Sequence, residues 1–262
     1  MTFPNIDPVF LKLGPLEFRW YGLMYICGFL AAYFIILAGV KRKGLPLVKD
    51  DVADLIFTVA LGVILGGRFG YILFYNFSYY LDHPMKLFAV WEGGMSFHGG
   101  LTGAILAGLY FIRKHKIRFY QIADIGFLAG PVGLGLGRIG NFINGELYGR
   151  VTDLPWGMIF PTGGPLPRHP SQLYEAFLEG PLMFLILYTV SRKLNRDGVV
   201  FWSFISLYGL FRFLVEFARE PDAQIGYLIG GLSMGQMLSL PMFLVGGAMV
   251  IHCYRAGSKA KE

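Results

Sequence analysis

The sequence predicts an all-α, polytopic integral membrane protein with about seven transmembrane helices. Hydrophobic residues make up 55% of the 262-residue chain and charged residues only 15%, whereas about 25% of the residues in an average soluble domain are charged. Apolar stretches of about 20 residues, long enough to cross a bilayer, recur along the chain. Because no polar block between them is long enough for a separate domain, we expect residues 1–262 to form a single transmembrane domain.

The seven predicted spans are separated by short polar segments. They lie near residues 20–40, 55–75, 95–112, 121–143, 175–191, 199–217 and 235–254. Cytoplasmic loops accumulate Lys and Arg, and most basic residues follow the first, third, fifth and seventh spans. We therefore expect the N-terminus outside, the C-terminus in the cytoplasm, and extracytoplasmic segments near residues 1–19, 76–94, 144–174 and 218–234.

Cysteine count and charge distribution argue against a disulfide-stabilised protein and against a nucleic-acid-binding protein. Cys27 and Cys253 lie at opposite ends of the chain, so a disulfide framework is not expected. The net charge of +6 falls into short loops and is not interleaved with aromatic residues, so we expect no nucleic-acid partner.

Three basic residues, Arg68, Arg138 and Arg212, lie within or at the ends of apolar spans. A charge at the centre of a bilayer costs at least about 2.5 kcal/mol, so such residues usually face a protein interior or an aqueous cavity. The alternative is that each side chain reaches the headgroup region from a helix end. Because all three are predicted at a similar depth on one side, we favour a shared anion site.

The fourth predicted span ends in the polar, glycine-rich run 137–150. Arg138 and Asn141 are three residues apart, so they share a helix face and can offer a guanidinium and an amide to one phosphate. Close helix packing would explain the glycines of this run, but it would not explain Arg138, Asn141 and Glu146 beside them.

Several enzyme motifs are absent or out of context. Residues 135–140 match a dinucleotide-binding fingerprint in letters only, since no strand precedes them. The histidines lack metal-ligand spacing, so we expect no metal and no cofactor. Ser96 lies near His98, but the nucleophile elbow of serine hydrolases is missing.

His98 stands in the glycine-rich run 93–100 at the outer end of the third predicted span. An imidazole with an ordinary pKa near 6.5 suits proton transfer at neutral pH. A lone histidine at a membrane interface can equally be structural, and both interpretations are kept.

The sixth predicted span carries Arg212, Glu216 and Arg219 on one helical stripe, where they can pair in sequence. The stripe is either architectural or leaves one positive group for an anion. Tyr21, at the outer edge of the first span, is either an interfacial anchor or a hydrogen-bond donor to the same cavity.

Together these residues indicate an outward-facing pocket for an anionic lipid headgroup, and they favour lipid chemistry. The alternative is an anion or lipid transporter that uses the same intramembrane arginines. Transporters commonly contain an internal repeat, which we do not find.

The run 137–150 resembles the signature of the bacterial prolipoprotein diacylglyceryl transferases. Segments 19–22, 97–100, 168–175 and 212–222 resemble the same family, in order and without departure at a polar position of the signature. The resemblance implies transfer of the diacylglyceryl group of phosphatidylglycerol to the lipobox cysteine of a preprolipoprotein in the bacterial inner membrane. It also implies a thioether product and release of glycerol phosphate.

The resemblance assigns roles to the polar residues already identified. Arg138 is expected to bind the phosphatidylglycerol headgroup, with Asn141 and Arg212 also in the lipid site, and Arg138 and Arg212 are candidate catalytic groups. Arg68 is added to the lipid site from its own position beside glycines in the second predicted span. His98 is the candidate base, and Tyr21 is a further candidate catalytic group. Supporting roles are expected for residues of the signature and of the charged stripe, namely Glu146, Gly149, Glu216 and Arg219.

Overall fold

The computed structural model describes residues 1–4, 6–14, 16–89, 93–194, 196–220 and 231–259, and all structural statements below concern these residues. They form a mostly helical protein with one short antiparallel hairpin. The elements are β1 (Val9–Leu13), β2 (Leu16–Arg19), α1 (Trp20–Lys43), α2 (Lys49–Tyr75), α3 (Phe77–Asp82), a 3₁₀ helix (Pro84–Phe88), α4 (Phe97–His115), α5 (Phe119–Ile143), α6 (Ser171–Phe177), a π-helical turn (Leu178–Leu182), α7 (Met183–Lys193), α8 (Val199–Val215) and α9 (Met234–Lys259).

Each predicted span coincides with a helix or, for the fifth, with the continuous run α6, π turn and α7. Five helical segments in the described residues are long and apolar enough to cross a membrane: Trp20–Lys43, Lys49–Tyr75, Phe119–Ile143, Ser171–Lys193 and Met234–Ala256. The protein is therefore a multi-pass membrane protein. The 17-residue α8 would extend about 26 Å, less than the roughly 30 Å hydrocarbon core, and α4 does not meet the same criterion. Seven spans and their orientation stay predictions.

The described chain divides into two compact units, one of residues Met1–Ile35 and Ala123–Glu262, the other of residues Ile36–Ile122. In the smaller unit α2 packs along α4 through glycines. A methyl group on Gly99 would lie 2.3 Å from the carbonyl oxygen of Gly66, so the two backbones can approach only because both residues lack side chains. This contact fixes the first turn of α4, which carries His98.

The larger unit has its apolar core where α5, α7 and α8 meet. The core cluster consists of Leu128, Met183, Leu187, Val200 and Phe211, all at most 6% exposed. Close packing of these side chains holds together α5 and α8, which carry Arg138 and Arg212, and α7, which continues the run that carries Glu175 and Glu179.

The fifth predicted span is interrupted by a π-helical turn. Gly180 has non-helical dihedral angles (φ −93°, ψ −109°), and Pro181 follows it and lacks a backbone N–H. The backbone of Gly180 also meets α5, because a Cβ on Gly135 would lie 2.9 Å from the Gly180 Cα. Such π turns often occur at functional sites.

The hairpin is the main departure from the all-α expectation. Strands β1 and β2 pair in an antiparallel register with an irregularity between Val9 and Leu11. The sequence reading treated residues 1–19 only as an extracytoplasmic segment, because a strand pair this short gives little periodic signal.

Candidate active site

Six charged side chains form a partly buried charge cluster in the larger unit. They are Arg138, Arg212, Arg219, Glu175, Glu179 and Glu216, linked by ion pairs of 2.7–3.6 Å. The cluster joins α5, the α6 to α7 run and the end of α8, so it depends on the packing of all three. Pairing offsets the desolvation of charges that apolar surroundings would otherwise exclude.

The guanidinium of Arg138 contacts two carboxylates through its Nε atom. Its Nε lies 3.4 Å from Oε2 of Glu175 and 3.4 Å from Oε2 of Glu179. Among the residues that the structure describes, neither terminal amino group of Arg138 donates a hydrogen bond, and 20% of the side chain is exposed. These two amino groups can therefore bind an anionic oxygen while Nε stays anchored.

Arg212 and Arg219 flank the same carboxylates. Nη1 of Arg212 lies 2.7 Å from Oε1 of Glu175, and Nη2 lies 3.0 Å from Oε2 of Glu216. Arg219 lies 3.6 Å from Glu216 and 3.4 Å from Glu175. The predicted pairing of the sixth-span stripe is thus confirmed, although α8 ends at Val215 and Arg219 lies after the turn that follows, in an isolated bridge with Gly149.

Glu175 and Glu179 were missed as site residues by the sequence reasoning. Both are fully buried, and Oε1 of Glu179 has no hydrogen-bond partner in the described part of the protein. The signal that could have found them is their position: two carboxylates four residues apart within an apolar span need an internal partner as much as an arginine does.

With these acids included, three arginines face three glutamates. The expectation that the stripe alone leaves one surplus positive charge therefore needs revision. What the described part of the cluster offers an anion is the two terminal amino groups of Arg138, which donate to none of its carboxylates, rather than a net charge.

Glu146 holds the polar end of α5. Its Oε1 accepts hydrogen bonds from Nδ2 of Asn141 (3.0 Å) and Nδ2 of Asn144 (3.1 Å), while its carbonyl accepts one from Nε2 of Gln172 (2.6 Å). Asn141 therefore points to Glu146 in this structure, whereas the sequence predicted that it would act beside Arg138.

Gly149 lies where the signature run meets the chain after α8. Its N–H donates to the carbonyl of His169 (2.8 Å), and the N–H of Arg150 donates to the carbonyl of Ala218 (2.9 Å). A Cβ at position 149 would lie 2.1 Å from that Ala218 oxygen. Only glycine fits, and the contact places the signature beside Glu216 and Arg219.

Tyr21 packs its ring on the signature helix. A Cβ on Gly140 would lie 2.6 Å from Cδ2 of Tyr21, so the ring occupies the space that a side chain would take between Arg138 and Asn141. The ring also lies 5.2 Å from that of Tyr25. The structure thus brings the Tyr21 ring to the signature run, and donation from its hydroxyl into the cavity stays a prediction.

His169 borders the cluster from outside the apolar segments. Its Nδ1 lies 3.1 Å from the hydroxyl of Tyr174, which accepts a hydrogen bond from Nε1 of Trp156 (2.8 Å). Burial, and then the charge of Arg150, lower the pKa of His169 below its usual range. The neutral form of the His169 imidazole is therefore favoured. Its unprotonated nitrogen can accept a hydrogen bond from the Tyr174 hydroxyl.

His98 and Arg68 belong to the smaller unit. His98 is the second residue of α4 and is exposed, and within the described residues its ring nitrogens have no hydrogen-bond partner. Ser96 caps the helix by accepting a hydrogen bond from the N–H of Gly99 (3.3 Å). Trp91 and Glu92, from the same motif, lie outside the described residues, as does Asp222.

Arg68 gives its hydrogen bonds to backbone carbonyls. Nε donates to Leu87 (3.1 Å), Nη1 to Gly93 (2.6 Å) and Nη2 to Lys86. The guanidinium also lies 5.1 Å from the centre of the Tyr80 ring. These contacts bind the segment after α3 to α2.

The structure therefore brings together Arg138, Arg212, Glu216, Arg219 and Tyr21 on one unit, with Asn141, Glu146 and Gly149 beside them. His98 and Arg68 lie on the other unit, so their position relative to this group stays a prediction. Chemically, the cluster can bind an anionic group at Arg138 and stabilise charge on a departing phosphate.

The chain is similar to known proteins over nearly its whole length. Residues 8–252 match the family model described as prolipoprotein diacylglyceryl transferase. The chain is 71% identical over 251 residues to a protein of Geobacter sulfurreducens, which covers 96% of each chain. It is 53% identical over 259 residues to one of Photobacterium profundum (99% and 97% of the two chains) and 54% identical over 257 residues to one of Vibrio vulnificus (98% and 95%).

All three relatives are named phosphatidylglycerol--prolipoprotein diacylglyceryl transferase. The matches extend through the signature run, the charge cluster and both units. The resemblance inferred from the motifs is confirmed, and the chain belongs to the prolipoprotein diacylglyceryl transferase family.

Proposed function

We propose that this protein transfers the diacylglyceryl group of phosphatidylglycerol to the lipobox cysteine thiol of a preprolipoprotein. The names of relatives that match nearly the whole chain support the reaction and its two substrates. The observation that carries the chemistry is the geometry of Arg138, which is anchored at Nε and whose terminal amino groups donate no hydrogen bond to any residue that the structure describes.

The reaction is a substitution at the glycerol carbon that bears the phosphate. The cysteine sulfur forms a bond to that carbon, the bond from the carbon to the phosphate oxygen breaks, and glycerol phosphate leaves with the electron pair. The product is a thioether, and the thiol proton passes to a base. A thiol has a pKa near 8.5, so attack at neutral pH needs either a base or positive charge that stabilises the thiolate.

Arg138 binds the phosphate, and its charge stabilises the oxygen that leaves. Arg212 supports this role from the other side of Glu175, to which it donates at 2.7 Å. Such fixed positive charge lowers the barrier most where water is scarce. Glu216 and Arg219 hold the array, and Glu146 and Gly149 hold the signature run.

Asn141 and Tyr21 complete the lipid site. Asn141 is three residues from Arg138 and can turn its amide from Glu146 to a phosphate oxygen. The Tyr21 ring lies against Gly140. From this position the Tyr21 hydroxyl can donate a hydrogen bond to the headgroup.

His98 takes the thiol proton in this proposal, because its imidazole is exposed at the start of α4. Arg68 remains a predicted lipid contact, but its present hydrogen bonds favour a second role. It holds the segment between α3 and α4 and so positions His98.

We further propose that α4 and α8 complete a seven-span topology in the bacterial inner membrane. The N-terminus and the active site then lie on the periplasmic side, and the basic loops lie in the cytoplasm.

Purified protein in liposomes containing phosphatidylglycerol tests the reaction. A lipobox peptide should cause release of glycerol phosphate, and its Cys→Ser counterpart should not. The transporter alternative predicts uptake of an anion or movement of lipid with no peptide present. Transport together with an absence of peptide-dependent release would overturn the proposal.

A further inference from the structure

The hairpin β1–β2 exposes a continuous apolar face. The register pairs Leu11 with Phe18 and Leu13 with Leu16, so these four side chains share one face. With Phe10, whose ring lies 6.4 Å from that of Phe18, they are 41–62% exposed. An isolated two-stranded hairpin is only marginally stable in water, so a face of this kind needs a partner.

The opposite face is charged. Lys12 pairs with Glu17 across the strands at 3.1 Å, and Glu17 also accepts from Arg19 at 3.2 Å. Hydrogen bonds from Lys12 and Arg19 hold the pKa of Glu17 below its usual value, so its carboxylate stays ionised. The hairpin thus has one face suited to hydrocarbon and one suited to water.

The hairpin is attached directly to a membrane-spanning helix. Strand β2 ends at Arg19 and α1 begins at Trp20, with no linker between them. The N–H of Trp20 donates to the carbonyl of Pro8 (3.0 Å), and the Phe10 ring lies 5.1 Å from the indole. The hairpin is therefore held at the end of the span, where Trp residues mark the boundary between hydrocarbon and headgroups.

We propose that the hairpin is a lipid-surface element whose apolar face rests on the bilayer at the start of α1. Phe10, Leu11, Leu13, Leu16 and Phe18 enter the boundary between headgroups and acyl chains. Lys12, Glu17 and Arg19 stay in water. Continuity with the span identifies lipid as the partner, because any surface held at this position and facing the bilayer meets lipid first.

The inference does not depend on the transferase activity, and it is tested by the environment of single residues. In a Cys27→Ser, Cys253→Ser background, one cysteine is introduced at Leu13, Leu16, Lys12 or Glu17 and labelled with a small fluorophore. The protein is placed in lipid nanodiscs at one copy per disc. Quenching by doxyl-labelled lipid is then compared with quenching by aqueous iodide.

We expect an alternating result. Fluorophores at Leu13 and Leu16 should be quenched several-fold more by doxyl lipid than by iodide, and those at Lys12 and Glu17 should show the reverse order. Thermal unfolding in detergent, compared with the unlabelled background protein, checks that each variant is folded.

Two outcomes would overturn the inference. Equal iodide quenching at Lys12 and Leu13 would place both faces in water. Protection of Leu13 from both quenchers would mean that another part of the protein, or a bound peptide, covers the face instead of lipid.

Discussion

Arg138 and Arg212 share the carboxylate of Glu175, which has Arg212 Nη1 at 2.7 Å from one oxygen and Arg138 Nε at 3.4 Å from the other. A single fully buried acid thus sets the spacing of the two guanidinium groups that we assign to the phosphate. The behaviour of variants at and around this acid tests both the geometry and the proposed chemistry.

Replacing Arg138 with Lys should reduce the transfer rate by about 10²- to 10³-fold, the range seen when a donor to a developing oxyanion is removed. Lysine keeps the charge, but its one nitrogen cannot both pair with the glutamates and present two donors to phosphate. Peptide-dependent glycerol phosphate release measures the effect. Arg19→Lys, on the exposed hairpin, is the matched control, and wild-type turnover in Arg138→Lys would contradict the assignment.

Replacing His98 with Asn should give a folded protein that turns over slowly. If His98 takes the thiol proton, the loss should shrink towards pH 8.5, where the thiol ionises without help. A pH profile of the transfer rate distinguishes this from a structural defect, which would be independent of pH. His252→Asn, at an exposed position of α9, should behave as wild type, and a flat profile for His98→Asn would assign the base elsewhere.

Replacing Glu175 with Ala should destabilise the protein by about 3–5 kcal/mol, because it leaves arginines without their shared partner in a buried site. Thermal inactivation in detergent is the measurement. Glu17→Ala removes an exposed carboxylate that also pairs with two basic residues, so it should change stability little. Equal effects of the two substitutions would show that the cluster does not support the fold.

Replacing Gly149 with Ala should impair both folding and transfer, since the methyl group would collide with the Ala218 carbonyl. Overpacking of this kind typically costs about 1–3 kcal/mol. Gly126→Ala provides the control, because nothing lies within 4 Å of a Cβ at that position. The yield of folded protein and the transfer rate should both fall for Gly149→Ala, whereas both should stay at the wild-type level for Gly126→Ala.

Stability should depend on pH through His169. Its pKa is lowered in the folded protein by burial and by Arg150, so the folded state binds a proton less readily than the unfolded state does. The stability that neutral His169 contributes is present above about pH 6.5 and is lost as the pH falls through the lowered value. The melting temperature of wild type should therefore drop more between pH 7.5 and 5 than that of His169→Gln, and parallel curves would refute this.

Much of the fold could be predicted because the helices are long and their apolar runs are continuous. Arg68, Arg138 and Arg212 could be predicted as candidate site residues because a charge in an apolar span needs a reason. The same argument applies to Glu175 and Glu179, yet they were overlooked, since a phosphate site directs attention to basic groups.

Other features depend on contacts that sequence spacing does not reveal. The hydrogen bond from Asn141 to Glu146 competes with the predicted use of Asn141 beside Arg138. The backbone carbonyls that Arg68 binds belong to Lys86, Leu87 and Gly93, which lie outside the predicted spans, where sequence spacing predicts no contact. The hairpin is too short for its period of two to be distinguished from a loop.

The backbone contact between Gly135 and Gly180 has a consequence for the timing of catalysis. Arg138 lies three residues after Gly135, and Glu179 immediately precedes Gly180, so the contact between the two glycines holds close together the backbones that carry this ion pair. The proposed phosphate site would therefore be built on a backbone arrangement that exists before lipid binds. In the proposed reaction, only side chains then need to adjust as negative charge moves onto the departing phosphate.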